Sequence, residues 1–339
     1  MWVNLSTEQK QNIITQTAVK TGLPAYAVEK DGWVCILLQA IFQSQYAANI
    51  IFKGGTSLSK AYNIINRFSE DVDLIIDRKF LGFEELPSKM AVKRLRETSG
   101  SFIINDFRIE LIKQLSNLGI SPDIYTIKYN DKVDDTSDPN TLEVYYNPVI
   151  PNDNPYIQPR VLIEMGARSL TEPAEEREVV SFIDNEYAHL PFAQKPTIVK
   201  VVVPTRTFIE KVLLLHEEFS KPIEAIRSER LSRHLYDLDR LMDTEYAESA
   251  YKDKELFEHI VEHRKTITPL RNISYDNHNR DSLQIIPPDA ISKDWEQDYK
   301  VMQENMIIGD SKPFPVLLER MNVIMENFKN DLANDQVND

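Results

Sequence analysis

The chain has 339 residues, 42% of them hydrophobic and 27% charged, which is enough for a folded protein with a substantial core and, by length, two domains rather than one. Its formal net charge is −14, from 53 acidic against 39 basic residues, so adhesion to nucleic acid over the whole surface is excluded and only a local basic patch could make such a contact. The single cysteine, Cys35, excludes an internal disulfide, no apolar run reaches membrane-spanning length, and the start carries no basic-then-apolar leader, so the expected compartment is the cytoplasm.

Residues 7 to 48 read as helical. Ile13, Ile14, Ala18 and Val19 predict one helix ending before Gly22 and Pro24, and Val28, Trp33, Val34, Leu37, Leu38, Ile41 and Phe42 predict a second. Glu29, Lys30 and Asp31 fall inside the second and are expected as scaffold polar groups. Ile50, Ile51 and Phe52 then read as a strand, and Lys53 leads into Gly54 and Gly55, a pair that permits a sharp turn and close approach to the backbone. Thr56 and Ser57 are capping residues, with Leu58, Ala61, Tyr62 and Ile65 at helical spacing behind them. A strand, a glycine turn and a helix start present free N–H groups suited to phosphate. Gly54, Gly55, Thr56 and Ser57, helped by Lys60 and Ser69, are therefore expected to bind a nucleotide.

After Arg67 and Phe68 the pattern becomes a strand, with Asp71 and Asp73 on one face beside Ser69 and with Val72, Leu74 and Ile76 on the other. Two adjacent carboxylates repel each other, and a divalent cation removes that cost; all-oxygen ligation suits magnesium. A Walker P-loop is excluded, because Gly54 and Gly55 lead into Thr56 and Ser57 without the required Gly-Lys.

The run FKGGTSLSKAYNIINRFSEDVDL resembles the signature of the AbiEii/AbiGii toxins, nucleotidyltransferases of the DNA polymerase β-like superfamily found in abortive-infection and toxin–antitoxin systems. The resemblance is strong from about Val28 to Ile76 and collinear but patchier beyond. It implies an α/β fold of α+β type, with a small mixed sheet and helices, followed by a C-terminal helical lobe. It also implies magnesium-dependent transfer of a nucleoside monophosphate from a nucleoside triphosphate, with two magnesium ions. The implied acceptor is RNA, with the 3′ end of transfer RNA as one candidate, and the implied partner is a cognate antitoxin with a winged-helix domain. Blocked translation and phage defence would be the cellular outcome.

Beyond Ile76 a polar stretch holds Lys89, Lys93, Arg94 and Arg96, and residues 103 to 118 read as helix. Strands are predicted at residues 125–127, 142–146 and 161–165, with loops at 131–140 and 148–159. Glu164 places one carboxylate inside an apolar strand, costly unless it meets a cation or donor. The resemblance makes it the third metal ligand with Asp71 and Asp73; an exposed strand face is the alternative.

Residues 206 to 219 form an amphipathic helix with Phe208, Val212, Leu215 and Phe219 inward and Lys211 at the margin. Glu210-Lys211 and the following Val-Leu-Leu-Leu-His resemble the family's second motif, whose lysine binds the triphosphate; His216 is expected to pack. A helix over 223–242 would carry Arg227, Arg230, Arg233 and Arg240 as a basic stripe for RNA phosphates. A surface helix laced with Arg–Asp pairs is the alternative. Arg233 to Leu238 resembles the third motif and makes Asp237 its acid. The implied catalytic set is thus Asp71, Asp73, Glu164, Lys211 and Asp237.

His259 to His263 fits H-x-x-E-H, but its setting is a charged surface helix, which argues against zinc hydrolysis. The tail is loop-rich to Pro288, then predicts helices at 295–306 and 315–327 and an acidic end. The expected division is a nucleotidyltransferase domain over 1–200 and a helical domain over 201–339. A nucleotide-binding module without transfer, or a transferase modifying a protein hydroxyl, are the competing functions.

Overall fold

The computed structural model describes residues 1–69, 71–86, 88–129, 138–151 and 158–335, the last five through the backbone alone. Glu70, parts of both predicted loops (131–137 and 152–157) and the end of the acidic tail lie outside the described residues. Contacts between Cα atoms divide the chain into two compact units, one of Met1–Asn63 with Phe68–Val202 and one of Ile64–Arg67 with Val203–Asp339.

The first unit opens with α1 (Thr7–Thr21), started by a Ser6/Gln9 capping box and closed by Gly22 at φ 73°. Helix α2 (Ala25–Phe42) is buried on nearly every face, charged residues included. An all-round apolar helix belongs inside a fold, and α2 packs between α1, α5 and the sheet. Then come β1 (Ile50–Lys53), α3 (Gly54–Lys60) and β2 (Val72–Ile76). Helix α4 (Lys89–Ser101) continues through a π-helical stretch, Phe102–Phe107, into α5 (Arg108–Asn117).

Strands β3 (Tyr125–Tyr129), β4 (Asn140–Tyr146), β5 (Arg160–Gly166) and β6 (Ala174–Val179), helix α6 (Phe182–Glu186) and strand β7 (Thr197–Val202) complete it. Among the described residues seven strands form one sheet in the order β3-β4-β5-β2-β1-β7-β6. It is mixed, because β2 runs parallel to β5 and β1 parallel to β7 while the other neighbours are antiparallel. This is the mixed α/β class the sequence led us to expect. Central β2 is buried at Val72, Leu74, Ile75 and Ile76, leaving Asp73 as its partly exposed position.

The second unit is helical: α7 (Pro204–Phe219), α8 (Ser232–Leu241), α9 (Glu245–Lys252), α10 (Lys254–Ile267), α11 (Ser292–Asn305) and α12 (Phe314–Asp335). Pro204 opens α7 at the position where a missing N–H costs nothing. Phe328 of α12 packs against Phe208, Tyr251 and Phe257 at ring separations of 6.1, 5.0 and 5.6 Å, respectively. Among the described residues no helix is long and apolar enough to cross a membrane.

Two predicted helices are shorter than expected. Helix α3 stops at Lys60, and Asn63 at φ 52° is incompatible with its continuation to Ile65. The helix expected over 223–242 is a 3₁₀ turn, Ile223–Ala225, followed by α8 from Ser232. Arg230 at φ 58° separates the two.

Candidate active site

Asp73 lies directly opposite Lys53 on β1 and Glu164 on β5, so the three side chains share one sheet face. The Asp73 carboxylate lodges against the glycine turn. A Cβ at Gly54 would overlap its Oδ2 and stand 2.8 Å from its Cγ, and Gly54 itself has φ 81°. Two constraints thus require glycine here, the left-handed backbone and the approaching acid. Asp71 lies one residue before β2 and is half-buried.

The turn is internally braced. Thr56 Oγ1 hydrogen-bonds the Ser69 hydroxyl at 2.9 Å and donates to the carbonyl of Asp71. Ser57 donates to the Gly54 carbonyl at 2.8 Å, and both Thr56 and Ser57 are buried. The Thr56 hydroxyl therefore holds the turn to the carboxylate segment and the Ser57 hydroxyl braces the turn itself, so neither is free for a ligand while the first N–H groups of α3 have no intrahelical partner. Ser69 is likewise tied to Thr56. Lys53, overlooked in the sequence, sends Nζ to Ser169 Oγ at 3.0 Å. The ammonium that opens Lys-Gly-Gly was its only signal.

Lys60, expected at the nucleotide, is buried instead. Its Nζ stands 2.6 Å from Asp31 Oδ1 and 4.1 Å from the centroid of the Phe182 ring. Burial opposes its charge, but Asp31 outweighs burial and raises its pKa. Asp31 also accepts from the Phe182 N–H at 2.9 Å, Glu29 accepts from the N–H groups of Val149 and Ile150, and Lys30 reaches the Gln158 carbonyl at 3.1 Å. The Glu-Lys-Asp run is scaffold, and Lys60 belongs with it.

In the helical unit Asp237 is fully buried between two cations. Arg67 grips it as a fork, Nε to Oδ1 at 2.7 Å and Nη2 to Oδ2 at 2.9 Å, and Lys211 Nζ lies 2.8 Å from Oδ2. Burial pushes the carboxyl up, but Arg67 and then Lys211 hold it well below the usual carboxylate range. Lys211 is also 3.2 Å from His234 Nδ1. Burial drives the His234 pKa down and Lys211 lowers it further, so the neutral ring accepts from the ammonium. His216 packs as expected: buried, it accepts the Gln284 N–H at 3.0 Å and lies 4.6 Å from the His278 ring.

The four arginines expected as one stripe are not one stripe. Arg227 precedes α8 and pairs with Glu218 at 2.8 Å, and Arg230 stands in the left-handed turn. Arg233 and Arg240 alone lie on α8, two turns apart. The N-terminal end of α8 is capped from α11, where Asp298 accepts the N–H groups of Arg230 at 2.6 Å and Ser232 at 3.0 Å.

Among the described residues no three His, Cys, Asp or Glu side chains converge as a metal-holding group. Glu164 is Asp73's neighbour in register, and Asp71 lies two residues before Asp73. In donor chemistry the Asp71–Asp73 pair fits a hard divalent cation, and the cradle that a Cβ at Gly54 would fill keeps Asp73 in place.

The protein family described as nucleotidyl transferase AbiEii toxin, type IV TA system, matches residues 36–326. Among solved structures the chain is similar to MenT4, a nucleotidyltransferase toxin from Mycobacterium tuberculosis H37Rv, at 17% identity and a TM-score of 0.43, covering 96% of this chain and 98% of that one. No curated protein matches the sequence.

Proposed function

This chain belongs to the AbiEii family, the nucleotidyltransferase toxins of type IV toxin–antitoxin systems, and on that premise we propose that it transfers a nucleoside monophosphate from a triphosphate to RNA, with the 3′ end of transfer RNA as candidate acceptor. Membership makes it a nucleotidyltransferase with a nucleoside triphosphate as substrate and an antitoxin as partner. The observation that carries the finer reading is the Asp73 carboxylate lodged in the Gly54 turn, which puts an acid beside the N–H groups of a helix start.

In this reading Asp71 and Asp73, with Glu164 beside them, would hold magnesium. When bound, magnesium supplies Lewis-acid neutralisation of charge on the phosphates. The N–H groups of Gly54 to Ser57 bind the β- and γ-phosphate oxygens, and Lys53 balances the carboxylate face. Lys211, held by Asp237, supplies a second cation for the triphosphate. Phosphoryl chemistry asks the protein mainly to position groups and stabilise charge, and these residues have the types for both tasks. Arg233 and Arg240 on α8, with Arg227 and Arg230 before it, supply positive charge for an RNA backbone on an otherwise acidic chain. A winged-helix antitoxin, the cytoplasm and phage defence complete the proposed setting.

Incubation with each of the four labelled nucleoside triphosphates, magnesium and either total RNA or protein tests this reading. Label in RNA supports it. Label in protein points to a hydroxyl on a polypeptide, and retention without transfer points to a binding module.

A further inference from the structure

Arg67 ends the segment Ile64–Arg67, which clusters with the helical unit while its sequence neighbours on both sides belong to the sheet unit. Contacts along this segment pin its backbone. Arg67 forms a β-bridge with Ile307, the Ile308 N–H donates to the Asn66 carbonyl at 2.8 Å, and Arg240 Nε donates to the Ile64 carbonyl at 3.4 Å. From this anchored backbone the guanidinium takes both oxygens of Asp237 in a planar fork, the geometry that fixes a carboxylate's orientation and not merely its charge.

Asp237 in turn holds Lys211, and Lys211 meets His234, so the four side chains form an ordered, buried series. It contains two cations, one carboxylate and a neutral imidazole. Arg67 occupies both carboxylate oxygens, and Lys211 shares only Oδ2. Lys211 is thus the less compensated cation, and burial lowers its pKa despite Asp237. Arg233 adds positive charge near Lys211 and His234, and Tyr236 lies within the influence of Asp237, Arg240 and Arg67. The other helices packed on α8 send Asp298 from α11 to Ser232 and Arg320 from α12 to Asp239.

We propose that Arg67 is a positioning residue for nucleotide transfer: by clamping both oxygens of Asp237 it fixes where Lys211 points its ammonium. The inference rests on the transferase reading above and adds to it a residue four positions before Asp71. In sequence the clamp and the first carboxylate are four residues apart, so one short segment carries both.

Arg67→Gln and Arg67→Lys test it, with nucleotide transfer and thermal melting each followed from pH 3 to 9, well below the melting temperature for the kinetics. Loss of the guanidinium leaves burial less opposed at Asp237, so in Arg67→Gln kcat/KM falls about tenfold or more and the acid limb of its pH profile moves up into the measured range. Arg67→Lys returns the charge without the fork; it restores the acid limb but not kcat/KM. A merely structural arginine gives uniform loss at all pH values with an unmoved limb, and full activity in Arg67→Lys means charge alone suffices; either result overturns the proposal. If the wild-type protein transfers no nucleotide, the transferase reading fails and the role in transfer with it. The melting curves then still report on the clamp: the acid-side loss of stability moves up in Arg67→Gln if Arg67 keeps Asp237 ionised and stays in place if it does not.

Discussion

The carboxylate of Asp73 fills the space that a side chain at position 54 would need. Gly54→Ala therefore forces the acid out of its seat and also places a Cβ at φ 81°. The expected cost is about 1–3 kcal/mol of stability, together with a fall in transfer activity. Gly22→Ala is the control, since it shares the left-handed backbone (φ 73°) with nothing near its would-be Cβ; its cost is about 1 kcal/mol with activity unchanged. Melting and transfer rates of the two variants, compared side by side, separate the lost acid from the lost turn.

Asp71→Ala with Asp73→Ala removes the charge that would hold a cation while leaving the apolar strand positions intact. Transfer is expected to drop by about 10²-fold or more, with circular dichroism and melting little changed. Undiminished label incorporation by the double variant would refute the metal assignment.

Lys60 and Asp31 form a pair with side chains 9% and 5% exposed. Removing one member leaves a buried charge alone, so Lys60→Ala should cost about 3–5 kcal/mol and the matched variant Lys60→Met with Asp31→Leu much less. A denaturant titration decides it. A variant that stays stable yet loses nucleotide affinity would return Lys60 to the binding site.

The Gly-Gly turn and the Asp-x-Asp strand were legible because their order is local: the residues that meet lie within one short run, and β1 pairs with β2 antiparallel, Lys53 opposite Asp73. The fate of Lys60 was not, because a lysine at a helix end reads as exposed until Asp31, 29 residues earlier, is brought against it. Arg67 and Asp237, 170 residues apart, are a contact that no periodicity announces. The stripe of arginines failed for a third reason. Helical spacing assumes that the helix persists, and a left-handed residue at Arg230 ends that assumption. Strands β6 and β7 were passed over, the first because Glu175, Glu176, Arg177 and Glu178 give it the composition of a solvent-facing loop.

His216 and His278 give the helical unit a pH dependence. Burial lowers both, His216 to about 4, against an ordinary value of 6.5. The unfolded chain binds protons first, so stability is full above about pH 6.5 and is lost as pH falls towards 4. For His216 alone the loss approaches roughly 3 kcal/mol. His216→Phe should flatten the fall in melting temperature between pH 7 and 4.5, and an unchanged slope would show that other groups dominate.

Asp298 caps α8 from a different helix, so Asp298→Ala strips the Arg230 and Ser232 N–H groups of their acceptor. A loss of about 1–2 kcal/mol is expected, measurable by urea denaturation.

The excursion of Ile64–Arg67 into the helical unit also bears on how the gene can be dissected. A fragment ending at Val202 keeps the guanidinium of Arg67 but lacks Asp237, and a fragment starting at Val203 keeps the acid without its fork. Neither half made separately is a complete building block. Shuffling or fusing these parts would have to carry that short loop across with the helices.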